Sequence, residues 1–114
     1  MKRFIYPIEG LVTILKKDRN FVWHVMIAFI VVIAAFFFKI NRIEWIAVIL
    51  SIFMVLAFEA INTAIEYVVD LVTDEYQLYA KHAKDIAALS VLLASIAAAI
   101  IGLIIFIPYI LSLI

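Results

Sequence analysis

Four hydrophilic side chains on one helical stretch carry most of the chemistry available to this chain. With Glu59 set at zero and about 100° per residue, Asn62 falls at about 300°, Glu66 at about 340° and Asp70 at about 20°, a sector about 80° wide. The residues around them are largely apolar, and a carboxylate turned toward lipid is costly, so this stripe must face protein, a cation or a water-filled groove. If the helix enters the hydrocarbon near Trp45, about 20 residues carry it to the opposite boundary near Ala64. Glu59 then lies roughly 7 Å inside the membrane, at the depth of a lipid hydroxyl, with Glu66 and Asp70 beyond the boundary.

Other acids and bases reach the same level. Asp18 precedes the first apolar stretch, and Lys84 and Asp85 precede the third, so all three lie beside Glu66. Asp18 and Glu66 suit a hard cation such as Mg²⁺, which takes one or two carboxylates together with substrate phosphates. Lys84 suits a phosphate as a point charge. Glu59 has no neighbouring cation in sequence and suits the acceptance of a proton from an alcohol. Together these are the parts of a phosphoryl-transfer site. His24 and His82 lack metal-ligand spacing and read as interfacial hydrogen-bonding residues.

Three apolar stretches must position these groups. The chain has 114 residues, of which 69% are apolar and 16% charged, too little polar surface for a soluble domain of this size. The expected fold is a single all-α integral membrane domain: an amphipathic surface helix over residues 1–19 and membrane spans over 21–40, 43–72 and 84–110. Phe21 to Phe38 contains no charged residue and is long enough to cross the hydrocarbon. The second stretch begins after the polar corner of Lys39, Asn41 and Arg42, and the third ends at Pro108. Short connections predict antiparallel neighbours. In the first segment Phe4, Ile8, Leu11, Val12 and Leu15 share one face, while Lys2, Arg3, Glu9, Thr13, Lys16 and Lys17 take the other, as in an interfacial helix.

Nine Lys plus Arg balance nine Asp plus Glu, so no overall charge favours nucleic acid. The absence of cysteine excludes a disulfide framework and a thiolate metal site. The only glycines, Gly10 and Gly102, exclude a Gly-rich phosphate loop. Basic residues cluster at the amino terminus (Lys2, Arg3, Lys16, Lys17, Arg19) and at Lys81 and Lys84, against Lys39 and Arg42 on the other side. This asymmetry predicts a multi-pass protein of the cell membrane with a cytoplasmic amino terminus and an external carboxyl terminus. Trp23, Trp45 and Tyr109 fit interfacial belts, and Phe36, Phe37 and Phe38 read as lipid-facing bulk. Hiding the acidic stripe among only three helices predicts self-association, with Ala94, Ser95, Ala97, Ala98 and Ala99 allowing close helix approach.

The segment FEAINTAIEYVVDLVTDEYQLYAKHAKDIAA, Phe58 to Ala88, closely resembles the signature region of the small prokaryotic diacylglycerol kinase family, an E-x-x-N-(S/T)-A-I-E-x-x-V-D run followed by A-K-D. DRNFVWH at Asp18 to His24, the pair Glu44 and Trp45, and IFIP at Ile105 to Pro108 look more like its Gram-positive branch, often undecaprenol kinases. The resemblance covers nearly the whole chain. It implies a homotrimer whose sites are shared between protomers and which uses Mg²⁺ and ATP to phosphorylate a lipid alcohol, undecaprenol or diacylglycerol, at the cytoplasmic face. By that resemblance Glu59 is the catalytic base, Asp18 and Glu66 bind metal, and Asn62, Lys84 and Asp85 surround the ATP phosphates. Tyr6, Glu75 and Tyr76 match weaker nucleotide contacts, and Asn20, Phe21 and His24 match part of the lipid site. The family position matching Asp18 is usually Glu, one methylene longer.

Two readings from other classes accompany the kinase. An oligomeric proton or cation channel lined by Glu59, Asn62 and Glu66 predicts conductance without ATP consumption. A pure interaction subunit predicts neither conductance nor turnover. The boundary group of Asp18, Lys84 and Asp85 has no purpose in either and favours the kinase.

Overall fold

A computed structural model of the chain describes residues 2–114; Met1, where the expected surface segment begins, and the side chain of Lys2 lie outside the described residues. The described residues form four helices, α1 (Lys2–Lys17), α2 (Arg19–Phe38), α3 (Arg42–Val72) and α4 (Leu78–Leu111). Three of them, α2, α3 and α4, are long and apolar enough to cross a membrane. Their outward faces carry large apolar side chains such as Phe29, Ile33, Phe53 and Ile104, all well exposed, as expected where lipid rather than water is the solvent. The protein is an all-helical integral membrane protein.

Each break between helices has a local cause. At the first, Asp18 adopts an extended backbone and its Oδ1 accepts from the Asn20 N–H at 2.9 Å, capping α2. At the second, Lys39 closes α2 in the left-handed region (φ 53°), and the Ile40 N–H reaches back to the Ala35 carbonyl at 3.3 Å. Ile40 is thereby turned inward, where it joins Ala35, Val48 and Ile105 in a small core. Asn41 and Glu44 then form a reciprocal capping box at the start of α3, with bonds of 2.9 and 3.0 Å.

Two polar pairs bracket the antiparallel packing of α3 on α4. Near the carboxyl end of α4 the Tyr109 hydroxyl donates to Glu44 at 2.5 Å, and at the opposite end Lys84 meets Asp70 at 2.7 Å. The Glu44 carboxylate therefore caps α3 and clasps α4 at once, which accounts for an acid within an apolar stretch. Phe38 also turns inward, with ring centroids 5.8 Å from Tyr109 and 6.1 Å from Phe106, whereas Phe36 and Phe37 stay exposed. The expectation of a wholly lipid-facing Phe run therefore fails at Phe38.

Two helix ends differ from expectation. Pro108 does not stop α4, which runs on to Leu111: so close to the carboxyl end the missing N–H forfeits one bond, and the Pro108 carbonyl accepts from the Ser112 N–H at 3.1 Å. At its other end α4 begins at Leu78, so Lys81, Lys84 and Asp85 stand on regular helix rather than on a loop.

Candidate active site

The stripe on α3 is turned into the protein. Glu59 is 3% exposed and Asn62 8%, while Glu66 is half-buried and Asp70 exposed at the end of the helix. The expectation that hiding these groups needs a neighbouring copy is corrected here: α3 is long enough that its middle is covered by the chain's own helices. Concealment of Glu59 and Asn62 is no argument for self-association.

Asp18 is brought to this stripe by the break between α1 and α2. Its second carboxylate oxygen, Oδ2, accepts from the Thr63 hydroxyl at 2.9 Å, and its carboxyl lies within hydrogen-bonding range of Glu59. Burial works against charge on Asp18, but hydrogen bonding with the Glu59 carboxyl, with Thr63 and with the backbone N–H groups of Phe21 and Asn20 outweighs it and holds its pKa below the ordinary carboxylate value. From α2, His24 brings Nε2 to 3.6 Å from Glu59 Oε2, and buried Phe21 packs one turn earlier. Asn62 donates to Glu66 Oε1 at 3.4 Å, while its own Oδ1 is buried without any hydrogen-bond partner. Asn20 is exposed on the first turn of α2.

The remaining predicted residues stand apart from this cluster. Lys84 is held by Asp70 at 2.7 Å on the exposed end of the α3–α4 pair. Asp85, about 100° further round α4, pairs with Lys81 at 2.6 Å. Tyr6 on α1 and Glu75 and Tyr76 in the α3–α4 loop are exposed and share no side-chain hydrogen bond with the cluster among the described residues. Two participants were not anticipated. Thr63 follows Glu59 by one helical turn and shares its face, a signal present in the spacing. Lys17, 4.3 Å above the Tyr67 ring, ties the end of α1 to the same end of α3, and nothing local in sequence announces that pairing.

An apolar groove of about 570 Å³ leads away from the acids between α2, α3 and α4. His24 stands in its wall beside Glu59, and Ser51, Val55, Ser95 and Gly102 continue it toward the other end. An alcohol hydroxyl at Glu59 can therefore be continuous with a long hydrocarbon tail in the groove.

Residues 5–106 match the family described as prokaryotic diacylglycerol kinase. The chain belongs to that family. Membership places the chain, a prokaryotic diacylglycerol kinase homologue, among the membrane lipid kinases, with ATP as cosubstrate, and leaves the channel reading without support. It is 39% identical over 107 residues to the undecaprenol kinase of Bacillus subtilis (strain 168), covering 94% of this chain and 87% of that protein. It is 40% identical over 111 residues to a diacylglycerol kinase of Synechocystis, covering 96% of this chain and 63% of the relative. With the Haemophilus influenzae diacylglycerol kinase it shares 34% identity over 89 residues, 78% of this chain and 75% of the other.

Proposed function

We propose that this lipid kinase transfers the γ-phosphate of ATP to the hydroxyl of undecaprenol, with diacylglycerol the second candidate, at the cytoplasmic face of the cell membrane. The observation that carries the proposal is the convergence of half-buried Asp18 and His24 on buried Glu59 and Asn62 at the head of an apolar groove. Undecaprenol stands first because the B. subtilis relative, matched along nearly all of both chains, is named an undecaprenol kinase.

Glu59 accepts the proton of the lipid hydroxyl, which Phe21, Asn20 and His24 help to seat, and the tail lies along the groove. Asp18 and Glu66 hold Mg²⁺. Among the described residues no three His, Cys, Asp or Glu side chains form a complete metal cage, but Mg²⁺ needs only one or two carboxylates when phosphates supply other oxygens, and the two acids fit that pattern. Mg²⁺ held by these two acids would supply charge neutralisation to the phosphates. Lys84 moves from Asp70 to the phosphates, Asn62 offers amide contacts beside Glu66, and Asp85, Tyr6, Glu75 and Tyr76 line the outer nucleotide site. The α1 helix rests on the cytoplasmic headgroups through Phe4, Ile8 and Leu11, with the carboxyl terminus outside. The protein works as a homotrimer with sites shared between protomers, a reading supported by its resemblance to the family.

The test is the purified protein in mixed micelles with labelled ATP, offered undecaprenol or diacylglycerol with and without Mg²⁺. Label in the lipid fraction, dependent on Mg²⁺ and greater with undecaprenol, is the expected result. Conductance in liposomes with no lipid phosphorylated would sink the proposal.

A further inference from the structure

We propose that Thr63 is a positioning residue for Asp18, holding that carboxylate where it can serve as a metal ligand; the inference rests on the lipid-kinase reading of the site. Asp18 sits at the junction of α1 and α2, where a single non-helical residue separates two helices. Its Oδ1 is committed to capping α2 through the Asn20 N–H at 2.9 Å. The Phe21 N–H adds to that local hold, and both backbone donors belong to α2. The Thr63 hydroxyl takes the second oxygen at 2.9 Å and joins residues 45 positions apart. With its oxygens held from different directions, by the α2 backbone and by Thr63, the carboxylate is fixed in orientation.

The surroundings make this bond matter. Thr63 is 4% exposed, so its hydroxyl is sheltered from competing water, and it stands one turn beyond Glu59 and next to Asn62. Apolar packing at the junction is incomplete: Ile14 and Phe21 are buried on either side of it, but a cavity of about 470 Å³ lies between α1 and α3, lined by Pro7, Gly10, Thr13, Ala64 and Thr63 itself. Beside the Thr63 bond, Lys17 stands over the Tyr67 ring at 4.3 Å, one turn further along α3. As a β-branched residue in a helix, Thr63 has few rotamers, so its hydroxyl is presented to Asp18 at little entropic cost.

The experiment compares Thr63→Val, which keeps the shape and removes the donor, with Thr63→Ser, which keeps the donor. Mn²⁺ binding, with a non-hydrolysable ATP analogue present, is read by electron paramagnetic resonance, alongside the Mg²⁺ dependence of turnover and the melting temperature. Thr63→Val should weaken Mn²⁺ binding and raise half-saturating Mg²⁺ by about ten-fold, the loss of one hydrogen bond to a charged group. Its kcat at saturating Mg²⁺ should stay near wild type, and Thr63→Ser should restore both values. If Thr63→Val does not fold, Thr63→Ala against Thr63→Ser makes the same comparison. Unchanged Mn²⁺ binding in Thr63→Val, or a Ser variant as impaired as the Val variant, overturns the inference. Asp18→Asn separates the two layers: if it weakens Mn²⁺ binding while Thr63→Val does not, Thr63 alone is misassigned; if Asp18→Asn also leaves binding unchanged, the metal reading falls with it.

Discussion

Replacing Asn62 with Leu should leave the protein as stable as before, or more so, while removing most of its activity. Asn62 is 8% exposed, and its one side-chain bond is the long 3.4 Å contact to Glu66. Losing such a bond costs about 0.5–1.5 kcal/mol, and i,i+4 pairs within one helix are worth about 0.2–0.5 kcal/mol. Against this, Oδ1 is buried with no partner, a penalty of about 1–3 kcal/mol that Leu does not carry. The balance is near zero or favours Leu by about 1–2 kcal/mol, with the shapes nearly matched. A polar residue that adds no stability at this place is explained by the ligand it meets. The assay pairs thermal melting in detergent with lipid phosphorylation: an unchanged or raised melting temperature should accompany a fall in kcat/KM on the order of 100-fold, as when one positioned donor is lost. A melting temperature several degrees lower, with turnover retained in the molecules that stay folded, would refute the reasoning and make Asn62 an ordinary packing residue.

Two further outcomes follow from the same geometry. Lys84→Met should raise the KM for ATP by about 10- to 100-fold, the value of a charge-assisted contact, with little change in melting, because its 2.7 Å partner Asp70 is itself exposed. An ATP titration checks this, and a KM equal to wild type would remove Lys84 from the nucleotide site. Because the chain has no cysteine, single cysteines report topology without background: Ser112→Cys should react with an impermeant maleimide in intact cells, and Glu75→Cys only after permeabilisation. The opposite pattern would invert the proposed orientation.

Much of the fold was legible because it rests on gross hydropathy. The three long apolar helices follow from runs with almost no charge, and the polar corner of Lys39, Asn41 and Arg42 marks the break between the first two. The stripe of Glu59, Asn62 and Glu66 was legible from period alone, since an acid in an apolar helix must turn inward. What escaped depends on contacts between distant residues. The hold of Glu44 on α4 depends on Tyr109, 65 positions away. The coverage of Glu59 within one chain depends on how closely the helices approach one another, which composition does not report. Pro108 reads as a stop, yet near a helix end its missing N–H removes too little to matter. The pairing of Lys84 with Asp70 splits Lys84 from Asp85, adjacent in sequence but about 100° apart on the helix.

The central claim is that Glu59 accepts the proton of a lipid alcohol during phosphoryl transfer, and Glu59→Gln tests it most directly. Buried and nearly isosteric, the amide should leave assembly and binding of a non-hydrolysable ATP analogue at wild-type values, while transfer of labelled phosphate to undecaprenol drops by about 10²- to 10⁴-fold. Full phosphorylation by the purified Gln variant would contradict the account.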